Sequence, residues 1–395
     1  MKQNLKAAEV NKKHKRIKEL VDDDTTLTLF IATSCELKCR MCAIPYKTVT
    51  RLSEAEWLDI VKQACVLGIR HFVISGGEPL YDGIALKVLK ELSRQKSYNA
   101  FRLGVTTNGI AIGLQPEILE GISPSYIDVS IDGTAKTHNS LRGPGAYQRS
   151  LRGLQVCLRR FGQEAVYVCS IIVPGCLNDI PNAIESLTRL GVRNILLQPP
   201  LLTGRGLGKT SLLPNAAELS TLIKVLLKKD LCALSQRIRV RIWLYPSLVQ
   251  QLYSILGLVR ESIRCMNKGK RLVFRGKKLD LMIDAEESCT AYEGNIMISS
   301  DGSVAGCCVD FTGAQIKKEP LDNIRDKPFK DIRSFTTSFD PCGRFNRRKE
   351  EGRDGKKSFE KESEEGQEGK ESKKSKESYC GQRRFRARFQ EGNYN

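Results

Sequence analysis

The sequence predicts an α/β fold whose parallel sheet curls into an incomplete or complete barrel. Three observations carry that expectation. Six apolar, β-branched-rich segments recur: Leu27–Ser34, His71–Ser75, Phe101–Thr107, Tyr126–Ile131, Ala165–Val173 and Asn194–Gln198. The intervals between them suit βα units, which build a parallel sheet with helices outside. The first intervening helix is also well signalled. Ser53 and Glu56 form a capping box, Trp57, Ile60, Val61, Ala64 and Cys65 share a face, and Gly68 stops the helix. Barrels of this kind place their chemistry at the C-terminal ends of the strands.

The rest of the chain follows in order. Residues 1–24 form a basic N-terminal extension and 25–205 the barrel. Residues 206–284 read as a connector, with helices at Ala216–Lys228 and Pro246–Leu258 and an alternating strand at Arg237–Leu244. From Cys289 the pattern changes. A strand Asn295–Ser299, a turn at Asp301-Gly302 and a strand around Val304 signal a hairpin, the start of a small second domain over 285–395. Within it, residues 346–379 are a charged, low-complexity insertion with too few apolar side chains to bury, and are expected to be disordered.

Composition bounds the function. The chain has 395 residues, 64 Lys and Arg against 45 Asp and Glu, a net charge of +19, and 41% hydrophobic residues. That is enough apolar material for a sizeable core, which excludes a wholly disordered chain. No apolar run is long enough to span a membrane, and the N-terminus lacks a secretory h-region. A cytoplasmic location is therefore expected, with the 14 cysteines reduced and available for metal or catalysis. The positive charge suits anionic partners, but no zinc-finger, RNA-recognition or homeodomain pattern accompanies it, so nucleic acid is not the expected partner.

The strongest chemical feature is Cys35-Glu36-Leu37-Lys38-Cys39-Arg40-Met41-Cys42, directly after the first strand. Three thiolates at this spacing can wrap one cluster from a single loop. Structural zinc wants four ligands, usually in pairs, and remains the plain alternative. Three fit a 4Fe–4S cubane with one iron open to a chelating ligand. Gly76-Gly77-Glu78-Pro79 ends the second strand: its glycines allow close backbone approach, and its carboxylate could pair with an ammonium. Thr106-Thr107-Asn108-Gly109 ends the third. Ser130-Ile131-Asp132-Gly133 ends the fourth, followed by His138 and Leu141-Arg142-Gly143, and Gln198-Pro199-Pro200 ends the sixth.

The triplet and these strand ends resemble the radical S-adenosylmethionine (radical SAM) family. The resemblance implies a partial (β/α)6 TIM-type barrel with a small C-terminal cysteine-rich domain. It implies that Cys35, Cys39 and Cys42 hold a 4Fe–4S cluster, and that Gly76, Gly77, Glu78, Ser130 and Arg142 bind SAM. Gly76-Gly77-Glu78 would hold the methionine amino group, the strand-end hydroxyls the ribose, and Arg142 the carboxylate. Met41 stands where many members carry an aromatic residue, and its polarizable side chain can also pack on a ring. His138 reads as structural.

Cys289, Gly302 and Cys307 give Cys-x12-Gly-x4-Cys, which resembles the SPASM or twitch auxiliary-cluster domain of many such enzymes. The segment Leu321–Ile332 looks like that domain's linking stretch, and Cys342 and Cys380 follow where ligands are expected. Cys289, Cys307, Cys342 and Cys380 would ligate one second, auxiliary 4Fe–4S cluster, or alternatively a four-cysteine zinc ion. Cys308 could replace Cys307, and Phe345 stands where a further cysteine is usual. Cys65, Cys157, Cys169, Cys176, Cys232 and Cys265 read as small buried hydrophobes.

The family further implies reductive cleavage of SAM to a 5′-deoxyadenosyl radical, which abstracts a substrate hydrogen. An electron donor such as flavodoxin or ferredoxin is expected, and the tail favours a peptide or protein substrate. The alternatives are a small-molecule cofactor precursor such as a tetrapyrrole and, from another class, a non-catalytic zinc or Fe–S protein that binds nucleic acid.

Overall fold

The computed structural model describes residues 25–42, 50–200, 204–206, 209–228, 236–244, 252, 264–266, 269–275, 278–284, 295–306, 322–326 and 329. The elements run β1 (Thr26–Ala32), α1 (Glu54–Val66), β2 (His71–Gly76), α2 (Gly83–Lys96), β3 (Arg102–Thr107), α3 (Ile110–Leu114) and β4 (Tyr126–Ser130). They continue α4 (Ala135–Arg142), α5 (Ala146–Ala165), β5 (Val166–Ile171), α6 (Ile180–Arg189), β6 (Asn194–Gln198), α7 (Ala216–Lys228) and β7 (Ile238–Ile242). Short strands follow: β8 (Arg264–Met266), β9 (Gly269–Arg275), β10 (Leu279–Asp284), β11 (Asn295–Ile298), β12 (Ser303–Ala305) and β13 (Asp322–Asn323).

All six strands expected from the sequence form and pair in parallel, in chain order. The parallel run extends past them. Strand β7, from the segment read as a connector, pairs parallel with β6, and β10 pairs parallel with β7. At the other edge β11 pairs parallel with β1. The described residues thus form one open sheet ordered β13-β12-β11-β1-β2-β3-β4-β5-β6-β7-β10-β9-β8, a partial barrel. Local sequence supplies the reason for β7: Ile238, Val240 and Ile242 alternate toward the apolar layer, and all three are fully buried.

The two faces of the sheet differ. Leu27, Leu29, Ile31, Phe72, Ile74, Leu103, Val105, Ile127 and Val129 join the helices in one apolar core. On α1 the capping box forms as expected, with the Ser53 hydroxyl accepting from Glu56 N and the Glu56 carboxylate accepting from Ser53 N at 2.7 Å. Trp57, Ile60, Val61 and Ala64 are its buried face. Where strands begin, the opposite, inward-facing row is polar. Thr26 Oγ1 lies 2.9 Å from His71 Nδ1, and His71 Nε2 lies 2.9 Å from the Tyr126 hydroxyl. The Tyr126 ring lies across β3 where only a glycine fits: a Cβ on Gly104 would fall 2.2 Å from it. Further along, Arg241 of β7 and Asp284 of β10 form a buried ion pair at 2.9 Å.

The hairpin anticipated at Asp301-Gly302 joins β11 to β12, and Gly302 has φ +88°. Its neighbour, the 322–326 segment, docks on the barrel. Arg325 reaches Glu56 of α1 and the carbonyls of Thr50 and Arg51. No helix among the described residues is long and apolar enough to cross a membrane. The expected helix at 246–258, save Leu252, and the charged insertion lie outside the described residues.

Tight packing at Gly104 has a measurable consequence. Gly104→Ala should destabilise by about 1–3 kcal/mol through overpacking against Tyr126. Gly83→Ala, at the start of α2 with open space around it, should be neutral or stabilise by about 0.4–1 kcal/mol. Thermal unfolding of the two variants checks the contrast; equal melting temperatures would contradict it.

Candidate cofactor site

The cysteine loop leaves the C-terminal end of β1. Its apolar side chains fix it from below: Leu37 and Met41 pack with Ile110, Leu141, Ala146, Val173 and Leu212 in a second core. Cys39 lies in that core, and Cys35 and Cys42 are half-buried against it. Arg40 N donates to Leu141 O at the end of α4, so the loop is tied to the strand 4 crossover as well.

The start of the loop is stitched to the end of β2. Gly77 N donates to Ala32 O at 2.7 Å, and Glu78 N to Ser34 O at 2.9 Å. Gly76 has φ +128°, and a Cβ there would sit 2.4 Å from Ala32 O, so only glycine permits this approach. Gly76 and Gly77 remain partly exposed.

Glu78 behaves differently from its sequence expectation. Its carboxylate does not face outward to meet an ammonium. It is buried and accepts from Thr107 Oγ1 at 2.7 Å, Asn108 N at 2.7 Å and Leu80 N at 3.1 Å. Glu78 therefore ties the end of β2 to the end of β3. Burial raises its pKa to about 7, against the pull of the bonds it accepts. Asn108 carries the tie onward: its Nδ2 donates to Glu36 at 3.1 Å and lies 3.8 Å from Cys35 Sγ.

Arg142 comes from α4, and Asp132 from the turn after β4. Arg142 donates through Nε to one Asp132 oxygen and through Nη2 to the other, at 3.1 Å. Asp132 also accepts from Ile171 N at 2.9 Å. Burial opposes the Arg142 charge, but Asp132 overrides it and drives the pKa up. The Asp132 backbone N–H donates to His138 Nδ1 at 3.0 Å, which fixes the proton on Nε2, and the ring stacks edge-on to Tyr147. Burial lowers the His138 pKa to about 4. Ser130 is half-buried at the end of β4, on the inner face opposite Cys169.

This donor set suits an iron–sulfur cluster. Burial raises the Cys35 pKa to about 12 and also raises that of Cys39. Both carry features that favour the anionic sulfur a metal needs. Leu37 N donates to Cys35 Sγ at 3.4 Å, and the charges of Arg142 and Arg205 act on Cys39. Among the described residues no three such side chains are drawn together around a single ion. Arg205 was not anticipated. It follows β6, donates through Nε to Cys39 O at 2.9 Å, and its backbone N donates to Cys42 O at 3.2 Å. Its only sequence signal is its place after a strand end. Cys289, Cys307, Cys342 and Cys380 lie outside the described residues.

Comparison with known proteins places the chain in context. Residues 29–197 match the family model described as Radical SAM superfamily, and residues 289–351 match the one described as iron-sulfur cluster-binding domain. Fe-coproporphyrin III synthase of Methanosarcina barkeri is 32% identical over 128 residues, covering 31% of each chain. GTP 3',8-cyclase of Petrotoga mobilis is 27% identical over 172 residues, 42% of this chain and 51% of that one. The matches thus span a third to a half of these curated relatives. The crystal structure of Streptococcus suis SuiB bound to precursor peptide SuiA aligns over 82% of this chain and 69% of that one. Its TM-score is 0.57 at 16% identity, a likeness of fold.

The Glu78 tie predicts a pH signature. A carboxyl whose folded pKa is raised from 4.5 to about 7 stabilises fully below 4.5, and that contribution is lost as pH rises to 7. His138, lowered from 6.5 to about 4, has the opposite trend: its contribution is lost as pH falls through that window. Glu78→Gln turns an amide N–H against one of the three donors and should cost about 1–3 kcal/mol. The melting-temperature gap between wild type and Glu78→Gln should narrow as pH rises from 4.5 to 7. A constant gap would contradict the buried, proton-binding carboxyl.

Proposed function

The chain belongs to the radical SAM superfamily, and from that premise we propose that it is an enzyme that reductively cleaves SAM and abstracts hydrogen from a peptide or protein substrate. The family's cofactors are a 4Fe–4S cluster and SAM, with a further cluster in the C-terminal domain. The observation that carries the proposal is local. Three thiols stand on one loop, whose root at Ala32 and Ser34 is tied to Gly77 and Glu78, and whose Cys39 feels the charges of the Arg142–Asp132 pair.

Each residue then has a part. Cys35, Cys39 and Cys42 hold the cluster. The backbone of Gly76 and Gly77 receives the methionine amino group, and Glu78 holds that turn in place from behind. Arg142 offers positive charge toward the methionine carboxylate, already aligned by Asp132. The Ser130 hydroxyl would meet the ribose. Held by these residues, the cluster would supply the one-electron reduction that SAM cleavage requires. The apolar layer of Leu37, Met41, Ile110 and Val173 keeps water from the loop's underside. Cys289, Cys307, Cys342 and Cys380 would hold the auxiliary cluster, which would serve to relay an electron or to order substrate. An acidic one-electron carrier of the flavodoxin or ferredoxin type supplies the electron.

The peptide reading draws support from the C-terminal cluster domain and from the fold shared with a protein solved with its precursor peptide. A second reading, a tetrapyrrole precursor, is favoured by the 32% identity to Fe-coproporphyrin III synthase. A coloured tetrapyrrole retained by the anaerobically purified protein would favour the second reading over the first.

Iron counting and product analysis test the proposal. The reconstituted wild type should carry about eight irons per chain and form 5′-deoxyadenosine under reduction. Replacing Cys35, Cys39 and Cys42 together with Ala should leave about four irons and abolish cleavage. Wild-type protein with neither iron nor cleavage would overturn it.

A further inference from the structure

Asn108 follows β3, is buried, and has both ends of its side chain committed. Its Oδ1 accepts from Ile110 N at 2.8 Å, at the start of α3. That bond settles which end of the amide is oxygen, so the nitrogen faces the cysteine loop. The nitrogen carries two hydrogens and meets two acceptors there, Glu36 Oε1 at 3.1 Å and Cys35 Sγ at 3.8 Å. Sulfur is a large acceptor, and hydrogen bonds to it are correspondingly long. The backbone is held as well, because Asn108 N donates to the buried Glu78 carboxylate at 2.7 Å. Cys35 Sγ also stands 3.7 Å from Glu36 Oε2. A thiolate at Cys35 would therefore have a carboxylate as its neighbour, and the Asn108 amide presents one N–H to each.

We propose that the Asn108 side chain donates a hydrogen bond to the Cys35 sulfur of the bound loop cluster and thereby raises that cluster's reduction potential. The inference rests on the three-cysteine cluster proposed above. Reduction adds one electron to a cluster already surrounded by thiolates, and part of that charge falls on the sulfurs. An N–H aimed at a ligating sulfur stabilises the reduced state more than the oxidised one, and such bonds are among the features that tune these potentials. Leu37 N makes a bond of the same kind to Cys35 Sγ at 3.4 Å, but it is backbone and local to the loop. The Asn108 bond comes from another strand end and is the one a side-chain substitution removes.

The test uses the reconstituted full chain as wild type, Asn108→Ser and Asn108→Asp. Both variants keep an oxygen that can accept from Ile110 N; serine is too short to reach Cys35, and aspartate replaces the donor with a charged acceptor. Iron is counted in each, and a potentiometric titration is followed by EPR. The loop cluster's signal is the one lost when Cys35, Cys39 and Cys42 are replaced together. A wild-type sample carrying ¹⁵N in its asparagine side-chain amides is also measured by ENDOR in the reduced state. The expected result is an asparagine-nitrogen coupling to the loop cluster in wild type and a more negative midpoint in both variants at wild-type iron content. If one variant loses iron, a more negative midpoint in the other still supports the proposal. No asparagine coupling in wild type overturns it, as does a wild-type midpoint in either variant that keeps its iron. Iron lost from both variants also overturns it, leaving a purely structural contact. Absence of the loop cluster from wild type would instead fail the cluster reading itself, and the wild-type iron count separates the two.

Discussion

Three donors meet on the buried carboxylate of Glu78, and the geometry of the whole site depends on that meeting. The bonds from Thr107 and Asn108 bind the end of β2 to the end of β3, while the Glu78 backbone N–H binds the same turn to Ser34 at the root of the cysteine loop. Three strand ends are thereby held in register where a cofactor would sit. A surface ion pair could not do this, because solvent and side-chain entropy would leave it worth little. Inside the protein, a fully satisfied acceptor is strong, and an unsatisfied one is costly. The motif's glutamate thus ties the turn that carries Gly76 and Gly77 to the end of β3.

The same design recurs around the loop. Arg142, whose charge acts on Cys39, is matched by an acid. Asp132 meets Arg142 in two bonds and takes a third from Ile171 N, so the pair is anchored to β5 as well as to α4. Farther along the sheet, Arg241 and Asp284 repeat the pattern between β7 and β10. Removing one member of such a pair strands a buried charge, which is why these residues hold fixed positions. Where the strands begin, the linked Thr26, His71 and Tyr126 make the inner face polar, and the outer face stays apolar.

How much of this the sequence disclosed follows from the range of each signal. Strands β1 to β6 and the α1 capping box are local patterns of alternation, length and capping, and they stand as read. The cysteine spacing and the Gly76-Gly77 turn were legible because their chemistry demands particular residues close together. Pairing was not legible. That β7 and β10 extend the parallel run, and that β11 lies beside β1, depends on partners far away in the chain. The partners of the Glu78 side chain are not legible for a related reason. Its donors come from positions 107 and 108, and the pattern around 78 says nothing of them. Arg205 reaches Cys39 across more than 160 residues, with no spacing rule to announce it.

The central claim is that the Cys35–Cys42 loop carries a cluster with one iron open to SAM. EPR of the reduced, reconstituted protein with and without SAM tests it most directly, because a ligand on the open iron alters the signal of that cluster alone. The account predicts a spectrum changed by SAM in wild type. It predicts no SAM effect on whatever signal remains once Cys35, Cys39 and Cys42 are replaced. A wild-type signal indifferent to SAM, or a SAM effect that survives the triple replacement, would contradict it.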